Sequence, residues 1–309
     1  MDRLHRVGGQ ARRDAPRRRR HRSRGGPGLT ATEPLGLIAG SGRFPLLVAE
    51  EAKRRGVPVV ALGIPGVTDE ALARLVDALT WFKLGQIDAP IKALKDAGVR
   101  KVVMAGKVQH VSLFGGVMPD WRAAKVLLSL KDKRTDTVLK AVVDEFAKDG
   151  LEFISSAIYL EHLLAPNGAL TKRALTKEQL SDASLGWRAA KSVAGFDIGQ
   201  TVVVQGGAIV AVEGMEGTDA CVKRAAELAR SQGREPSLVV VKVAKPRQDF
   251  RFDLPVVGLD SLVTFKAAGV KALALETGAT LIFDRARFAA DADAAGLAVA
   301  GYPPEGPIS

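Results

Sequence analysis

Basic and acidic side chains are concentrated in one short stretch, Lys242, Lys245, Arg247, Asp249, Arg251 and Asp253, which opens as a run of valines ends and closes at Pro255. Asp249 and Asp253 are hard oxygen ligands of the kind Mg2+ takes, one or two carboxylates being completed by substrate phosphates. Lys242, Lys245, Arg247 and Arg251 suit the oxygens of a diphosphate. A solvated surface loop could carry the same charges, but Pro246 and Pro255 stiffen this one, and Phe250, Phe252 and Leu254 give it an apolar side. A second cluster, Glu213, Glu216 and Asp219 beside Gly214 and Gly217, falls where a strand gives way to a helix. Thr218 or Asp219 alone would read as a helix cap. Three acids together repel one another unless a cation or a polar ligand neutralises them.

Two glycine loops complete the chemistry. Ala39–Gly40–Ser41–Gly42–Arg43–Phe44–Pro45 joins an apolar run to a segment of helical spacing. Glycines there allow a sharp turn and close backbone approach to an anion, and a helix N-terminus offers unpaired N–H groups. The string lacks the third glycine of a dinucleotide fingerprint, and the next strand ends at Leu62 and Gly63 with no acid for a ribose. NAD is therefore disfavoured, which leaves phosphate or nucleotide binding against a purely structural turn. Gly106 and Lys107 mimic the end of a P-loop, but Lys101 and Val108 stand where Gly and Ser or Thr are required. Lys107 is then either a phosphate contact at a strand end or a solvated lysine.

The elements that must position these residues alternate. Apolar runs at Leu35–Ala39, 57–62, 79–84, 99–105 and 152–157 are separated by helical spacing at 45–55, 69–78, 88–97, 121–130 and 135–148. That alternation predicts a parallel, doubly wound sheet. A turn cluster at 166–168 marks the expected boundary between domains 33–165 and 166–309. Beyond it come a helix at 177–193, a hairpin of Thr201–Gln205 with 208–213 about Gly206 and Gly207, a helix at 218–230 and a strand at 238–243. A Pro- and charge-rich stretch follows at 244–260, then further αβ alternation. The expected fold class is α/β, a Rossmann-like N-terminal domain plus a second α/β domain with a mixed sheet.

Composition excludes several classes. The 309 residues carry a formal net charge of +11, but residues 1–28 hold ten arginines against two acids and so account for eight of those charges. This segment has almost no apolar content and is expected to be disordered. It lacks the aromatics that single-strand binders stack on bases, so nucleic acid is not expected as a partner. It has no apolar core like that of a secretory signal, and a dispensable or misassigned start is the simplest account of residues 1–32. A single cysteine, Cys221, excludes a disulfide framework, and only His110 and His162 lie outside the basic segment. No apolar run reaches the roughly 18–20 residues of a membrane span, which points to the cytoplasm. There is no Gly-x-Ser-x-Gly elbow, and neither histidine stands near a plausible nucleophile. Metal-assisted attack of water on phosphorus is the best remaining chemistry.

With these residues in view, the chain from about Leu35 to Gly301 resembles the LpxI-type UDP-2,3-diacylglucosamine pyrophosphatases. The matching strings are 37–45, Asp197–Ile198–Gly199–Gln200, Glu213–Gly214–Met215–Glu216–Gly217–Thr218–Asp219–Ala220, and 245–255. One departure lies at 131–136, where a Gly-Asp-Asp-like string is expected, so no role is carried over to Asp132 or Asp136. The resemblance implies a Mg2+-dependent hydrolase, with Mn2+ as a possible substitute, that works in lipid A biosynthesis at the cytoplasmic face of an inner membrane. It would release UMP and 2,3-diacylglucosamine 1-phosphate (lipid X) by directing water at the sugar-side phosphorus, with the lipid held between two domains of a homodimer's subunit. By motif, Asp253 is the leading catalytic residue, with Asp249 beside it. Metal ligands would come from Asp253, Asp249, Glu216 and Asp219. Substrate contacts would come from Gly40, Ser41, Gly42, Lys107, Gln200, Glu213, Gly217, Thr218, Lys242, Lys245, Gln248 and Arg251. The alternative is a non-catalytic nucleotide-sugar or lipid-binding protein.

Overall fold

The computed structural model describes residues 33–108, 118–130, 135–246, 248–251 and 253–307. The basic extension, His110, Asp132, Arg247 and Phe252 lie outside them.

The first sheet is parallel throughout, with β1 (Leu35–Ala39), β2 (Val59–Gly63), β3 (Ala78–Trp81), β4 (Lys101–Ala105) and β5 (Glu152–Phe153) in the order β3-β2-β1-β4-β5. Its central strands are buried on both faces, as continuous Val/Leu/Ala runs require. Helix α1 (Phe44–Arg54) covers one face, with Pro45 in its first turn and Lys53 and Arg54 in its last. Helices α2 (Asp88–Asp96), α3 (Trp121–Ser129) and α4 (Thr135–Ala147) carry the apolar residues of the other face. Strand order reverses between β1 and β4, so a crevice opens beyond their C-terminal ends.

The second sheet is mixed. Its strands β6 (Gly168–Ala169), β7 (Thr201–Gln205), β8 (Ala208–Val212), β9 (Leu238–Lys242), β11 (Val270–Glu276) and β13 (Ala298–Tyr302) run β6-β13-β11-β9-β7-β8. β7 and β8 form the expected hairpin, and Gly206 and Gly207 both take positive φ, 59° and 78°. Helix α5 (Lys177–Gly195) fixes that turn, because Asp182 accepts from the N–H groups of Gly206 at 2.9 Å and Gly207 at 2.7 Å. The helix starts at a capping box of Thr176 with Gln179, a device contributing about 1 kcal/mol. Helices α6 (Thr218–Ser231), α7 (Leu259–Ala267) and α8 (Arg285–Ala294) pack on the opposite face.

Several expected elements differ. The helix expected at 69–78 is only a 3-10 turn at Glu70–Arg74, since the chain must re-enter the sheet as β3 at Ala78. The strand expected at 152–157 stops at Phe153. There the backbone leaves the sheet edge, and the Ser156 N–H pairs with the Phe250 carbonyl of the charged loop instead. The stretch 244–260 is not wholly irregular, because β10 (Val256–Val257) pairs in parallel with β12 (Leu281–Ile282). Leu254 and Leu281 join the buried cluster on the α1 face of the first sheet, where Phe44 packs on Phe283 with ring centroids 5.6 Å apart. This packing draws the charged loop across the first sheet's open end.

Candidate active site

Two loops at the open end of the first sheet are sewn together. The Ser41 N–H donates to the Lys107 carbonyl at 2.8 Å, the Lys107 N–H returns a bond to the Ser41 carbonyl at 3.1 Å, and the Ser41 hydroxyl adds a third at 2.9 Å. Only glycine allows this approach. A Cβ on Gly40 would stand 2.7 Å from the Lys107 carbonyl oxygen, and one on Gly106 would stand 2.6 Å from that of Ser41. Gly40 is thus explained by loop packing, while Ser41, Gly42 and Lys107 line the cleft beyond it.

The mixed sheet supplies the facing wall. Lys242, at the end of β9, is only 6% exposed and donates to the Thr218 hydroxyl at 2.7 Å and the Thr201 hydroxyl at 3.2 Å. Thr218 donates in turn to Glu213 at 2.8 Å, and the Gln200 N–H donates to the other Glu213 oxygen at 3.1 Å. Burial opposes ionisation of Glu213, yet Lys242 and these hydrogen bonds outweigh it and hold the carboxyl below its usual range. Burial also pushes the Lys242 ammonium down, with Lys107 adding to the effect and Glu213, Asp253 and Asp219 opposing it. The neutraliser expected for the second acidic cluster is therefore, for Glu213, a lysine of the protein.

Asp253 sits between these walls. Its Oδ2 accepts from Gln200 Nε2 at 3.2 Å and lies 3.2 Å from Lys245 Nζ, which also contacts Asp197 at 2.5 Å. Gln248 staples this loop rather than lining the cleft, accepting from the Lys245 N–H at 2.8 Å and donating to the Asp253 carbonyl at 2.7 Å.

The four carboxylates expected around a metal do not converge. Asp249 is gripped by Arg251 through Nε at 2.8 Å and a terminal nitrogen at 2.6 Å, which holds its carboxyl below the usual range, and neither residue lines the cleft. Glu216 pairs with Arg224 at 2.6 Å and accepts from the Gly214 N–H at 3.0 Å, again outside the cleft. Ion pairing has claimed both. Among the described residues no three Asp, Glu, His or Cys side chains are grouped to hold a metal ion. Asp253 and Asp219 do line the cleft, as do Gly217 and Thr218. Asp219 Oδ1 and Gln200 Oε1 are buried oxygens with no hydrogen-bond partner among the described residues. Two carboxylates and an amide oxygen on the lining of one cleft are the kinds of ligand Mg2+ takes where substrate phosphates supply others.

The cleft encloses about 620 Å3. A second cavity of about 460 Å3 lies between the first sheet and helices α3 and α4, lined by Ile38, Phe82, Met104, Val126, Val142 and Phe146 among others. The two cavities meet at Gly106, Lys107, Asp197, Lys245 and Asp253. Asp197 and the ion pair of Arg43 with Asp284 at 2.7 Å are parts of this site that motif reasoning left unassigned. An acid just past a helix end is the sequence signal that could have marked Asp197.

Comparison with known proteins gives consistent matches along the chain. Residues 34–163 match the LpxI N-terminal domain and residues 166–300 the LpxI C-terminal domain. The chain is 34% identical over 277 residues to the UDP-2,3-diacylglucosamine pyrophosphatase LpxI of Caulobacter vibrioides, covering 88% of this chain and 98% of that protein. Among solved structures, a biotin carboxylase–beta-gamma-ATP complex from Campylobacter jejuni is 16% identical over 65% of this chain and 43% of its own, with a TM-score of 0.26. The biotin carboxylase domain of a single-chain bacterial carboxylase is 16% identical over 88% of this chain and 71% of its own, with a TM-score of 0.28. The chain thus spans under half of the first of these structures, and both scores are too low to support a shared fold. Both halves of the protein match one family in sequence, and the chain belongs to the LpxI family.

Proposed function

We propose that this protein hydrolyses the pyrophosphate bond of UDP-2,3-diacylglucosamine, releasing UMP and 2,3-diacylglucosamine 1-phosphate (lipid X) in lipid A biosynthesis. The observation that carries the reading is the meeting of a polar cleft with an apolar cavity at Asp253. A substrate with a charged diphosphate between a nucleoside and two acyl chains needs that division of polarity at its reacting centre. The uridine diphosphate would lie along Ser41, Gly42, Lys107 and Lys242, and the acyl chains in the cavity beneath α3 and α4.

Hydrolysing a diphosphate requires charge neutralisation and in-line positioning more than a protein nucleophile. Lys107, Lys242 and Lys245 all line the cleft and would offset the charge of the diphosphate oxygens. Glu213 and Thr218 keep Lys242 fixed, so no reorganisation is needed when the charge shifts. Asp253, oriented by Gln200, holds the attacking water against the sugar-side phosphorus. The water oxygen bonds to that phosphorus, the anhydride bond breaks, and the bridging oxygen leaves with UMP. Mg2+ or Mn2+, held by Asp253 and Asp219 with Gln200 Oε1 nearby, would supply further charge neutralisation when bound.

The outer stripe of α3 supports a peripheral contact with the cytoplasmic face of an inner membrane. Trp121 is 75% and Leu128 86% exposed there, with Lys125 over the Trp121 ring at 5.4 Å, next to the cavity assigned to acyl chains. The test of function is turnover of UDP-2,3-diacylglucosamine with Mg2+ in 18O-labelled water. The expected products are UMP and lipid X, with the label in the lipid X phosphate. Stoichiometric binding without UMP release would favour a non-catalytic nucleotide-sugar or lipid-binding protein instead.

A further inference from the structure

We propose that Asp197 is a positioning residue of the reaction centre, holding the Lys245 ammonium so that Asp253 keeps an anionic oxygen for the reaction. This rests on the hydrolase reading above. Asp197 ends α5 in a Schellman arrangement, its N–H bonded to the Ala194 carbonyl at 3.1 Å and that of Ile198 to Val193 at 3.3 Å. The motif needs a left-handed residue, and Asp197 has φ 60°. Glycine is the usual occupant, with asparagine next. A carboxylate also faces the negative end of the helix dipole. Local folding preferences therefore favour glycine or asparagine over aspartate here, and the ion pair with Lys245 gives the carboxylate a task outside the helix cap.

Lys245 Nζ lies 2.5 Å from Asp197 and 3.2 Å from Asp253, where the polar cleft and the apolar cavity meet. The reach of that ammonium is fixed from behind. The Ala244 N–H donates to Glu276 at 2.7 Å, and Glu276 pairs at 2.7 Å with Lys191 of α5, the helix that carries Asp197. An ammonium offered one carboxylate closes onto it as a contact pair and covers its charge. Offered two, it is shared, and here the shorter contact is with Asp197. The ion pair from Lys245 and the hydrogen bond from Gln200 both fall on Asp253 Oδ2, so the reaction is assigned to Oδ1. Without the Asp197 carboxylate, the Lys245 ammonium closes further onto Asp253 and covers more of its charge.

The experiment uses the full chain with Asp197→Asn, Asp197→Gly, Lys245→Met and the double variant Asp197→Asn/Lys245→Met. It measures kcat and KM for UDP-2,3-diacylglucosamine with Mg2+, together with Tm. Asp197→Asn and Asp197→Gly should keep or raise Tm while kcat falls roughly 10- to 100-fold, the scale of a misplaced reacting group, and KM stays within about twofold. The double variant should be no slower than the slower single variant, since Asp197 acts through Lys245. Wild-type kcat in Asp197→Asn, losses that multiply in the double variant, or a fall in Tm that parallels the loss of activity would each overturn the proposal. A wild-type chain that releases no UMP would remove the hydrolase reading and this proposal with it. Turnover by wild type with an equally active Asp197→Asn removes the positioning role alone.

Discussion

The buried Lys242 ammonium donates to Thr218 at 2.7 Å, and the Thr218 hydroxyl passes a hydrogen bond on to Glu213 at 2.8 Å. A strand end, a helix start and a hairpin end are joined by this relay, so charge and hydrogen bonding are coupled across the floor of the cleft.

Removing one charge of that relay strands the other. Lys242→Met leaves a buried carboxylate without its ammonium and should cost about 3–5 kcal/mol of stability, whereas Lys242→Met/Glu213→Gln should recover much of it. Urea unfolding of both variants measures the difference. The sign with pH follows from the lowered Glu213 pKa. Its stabilising contribution is fully present above the unfolded carboxylate value of about 4.3 and is lost as pH falls through the folded value. Glu213→Gln should therefore flatten the acid limb of the stability profile.

Asp249 and Asp253 are four residues apart in sequence and have different surroundings. Asp253→Ala should lower kcat on the order of 10²- to 10⁴-fold while leaving Tm near wild type. Asp249→Asn breaks only a partly exposed pair with Arg251, so kcat should stay within about threefold and stability within about 1 kcal/mol. Equal losses in the two variants would mean that Asp249 reaches the reacting centre after all. Steady-state release of UMP decides.

A methyl group at position 40 has nowhere to go. Gly40→Ala places a Cβ 2.7 Å from a backbone oxygen rather than a flexible side chain, so the two loops must separate. The expected cost is about 1–3 kcal/mol, together with displacement of Lys107 and weaker UMP binding. Chemical denaturation and calorimetric titration with UMP report the two effects separately.

The apolar cavity can be tested without touching the cleft. Leu127 lines it from α3 and is 38% exposed, so a larger side chain there narrows the space with little strain on the core. Leu127→Trp should raise KM roughly tenfold for a long-chain diacyl substrate and leave a short-chain analogue unaffected, the scale expected for a few methylenes in an apolar pocket. Parallel kinetics on the two substrates give the answer.

The sequence by itself determined the alternation of strands and helices, because periodicity and breakers such as Gly98 and Gly150 are local properties. It also marked Gly206 and Gly207 as a hairpin turn and identified the strings that carry the family resemblance. Short segments were harder to read. The runs at 69–78 and 152–157 look helical and extended by composition, yet one must re-enter a sheet edge and the other leaves it, and both are tertiary demands. Charge identities were equally legible, but partners were not. Asp249 and Glu216 have the same chemistry as Asp253 and Asp219, and only the fold decides that arginines two and eight residues away claim the first pair while the second pair lines the cleft. Asp197 illustrates the limit most clearly, because 48 residues separate it from Lys245 in sequence, and nothing local to either residue predicts a 2.5 Å contact at the junction of two cavities. Side-chain type and local spacing are written along the chain, whereas the pairing of charges depends on distances set only when both sheets and the loop between them have packed.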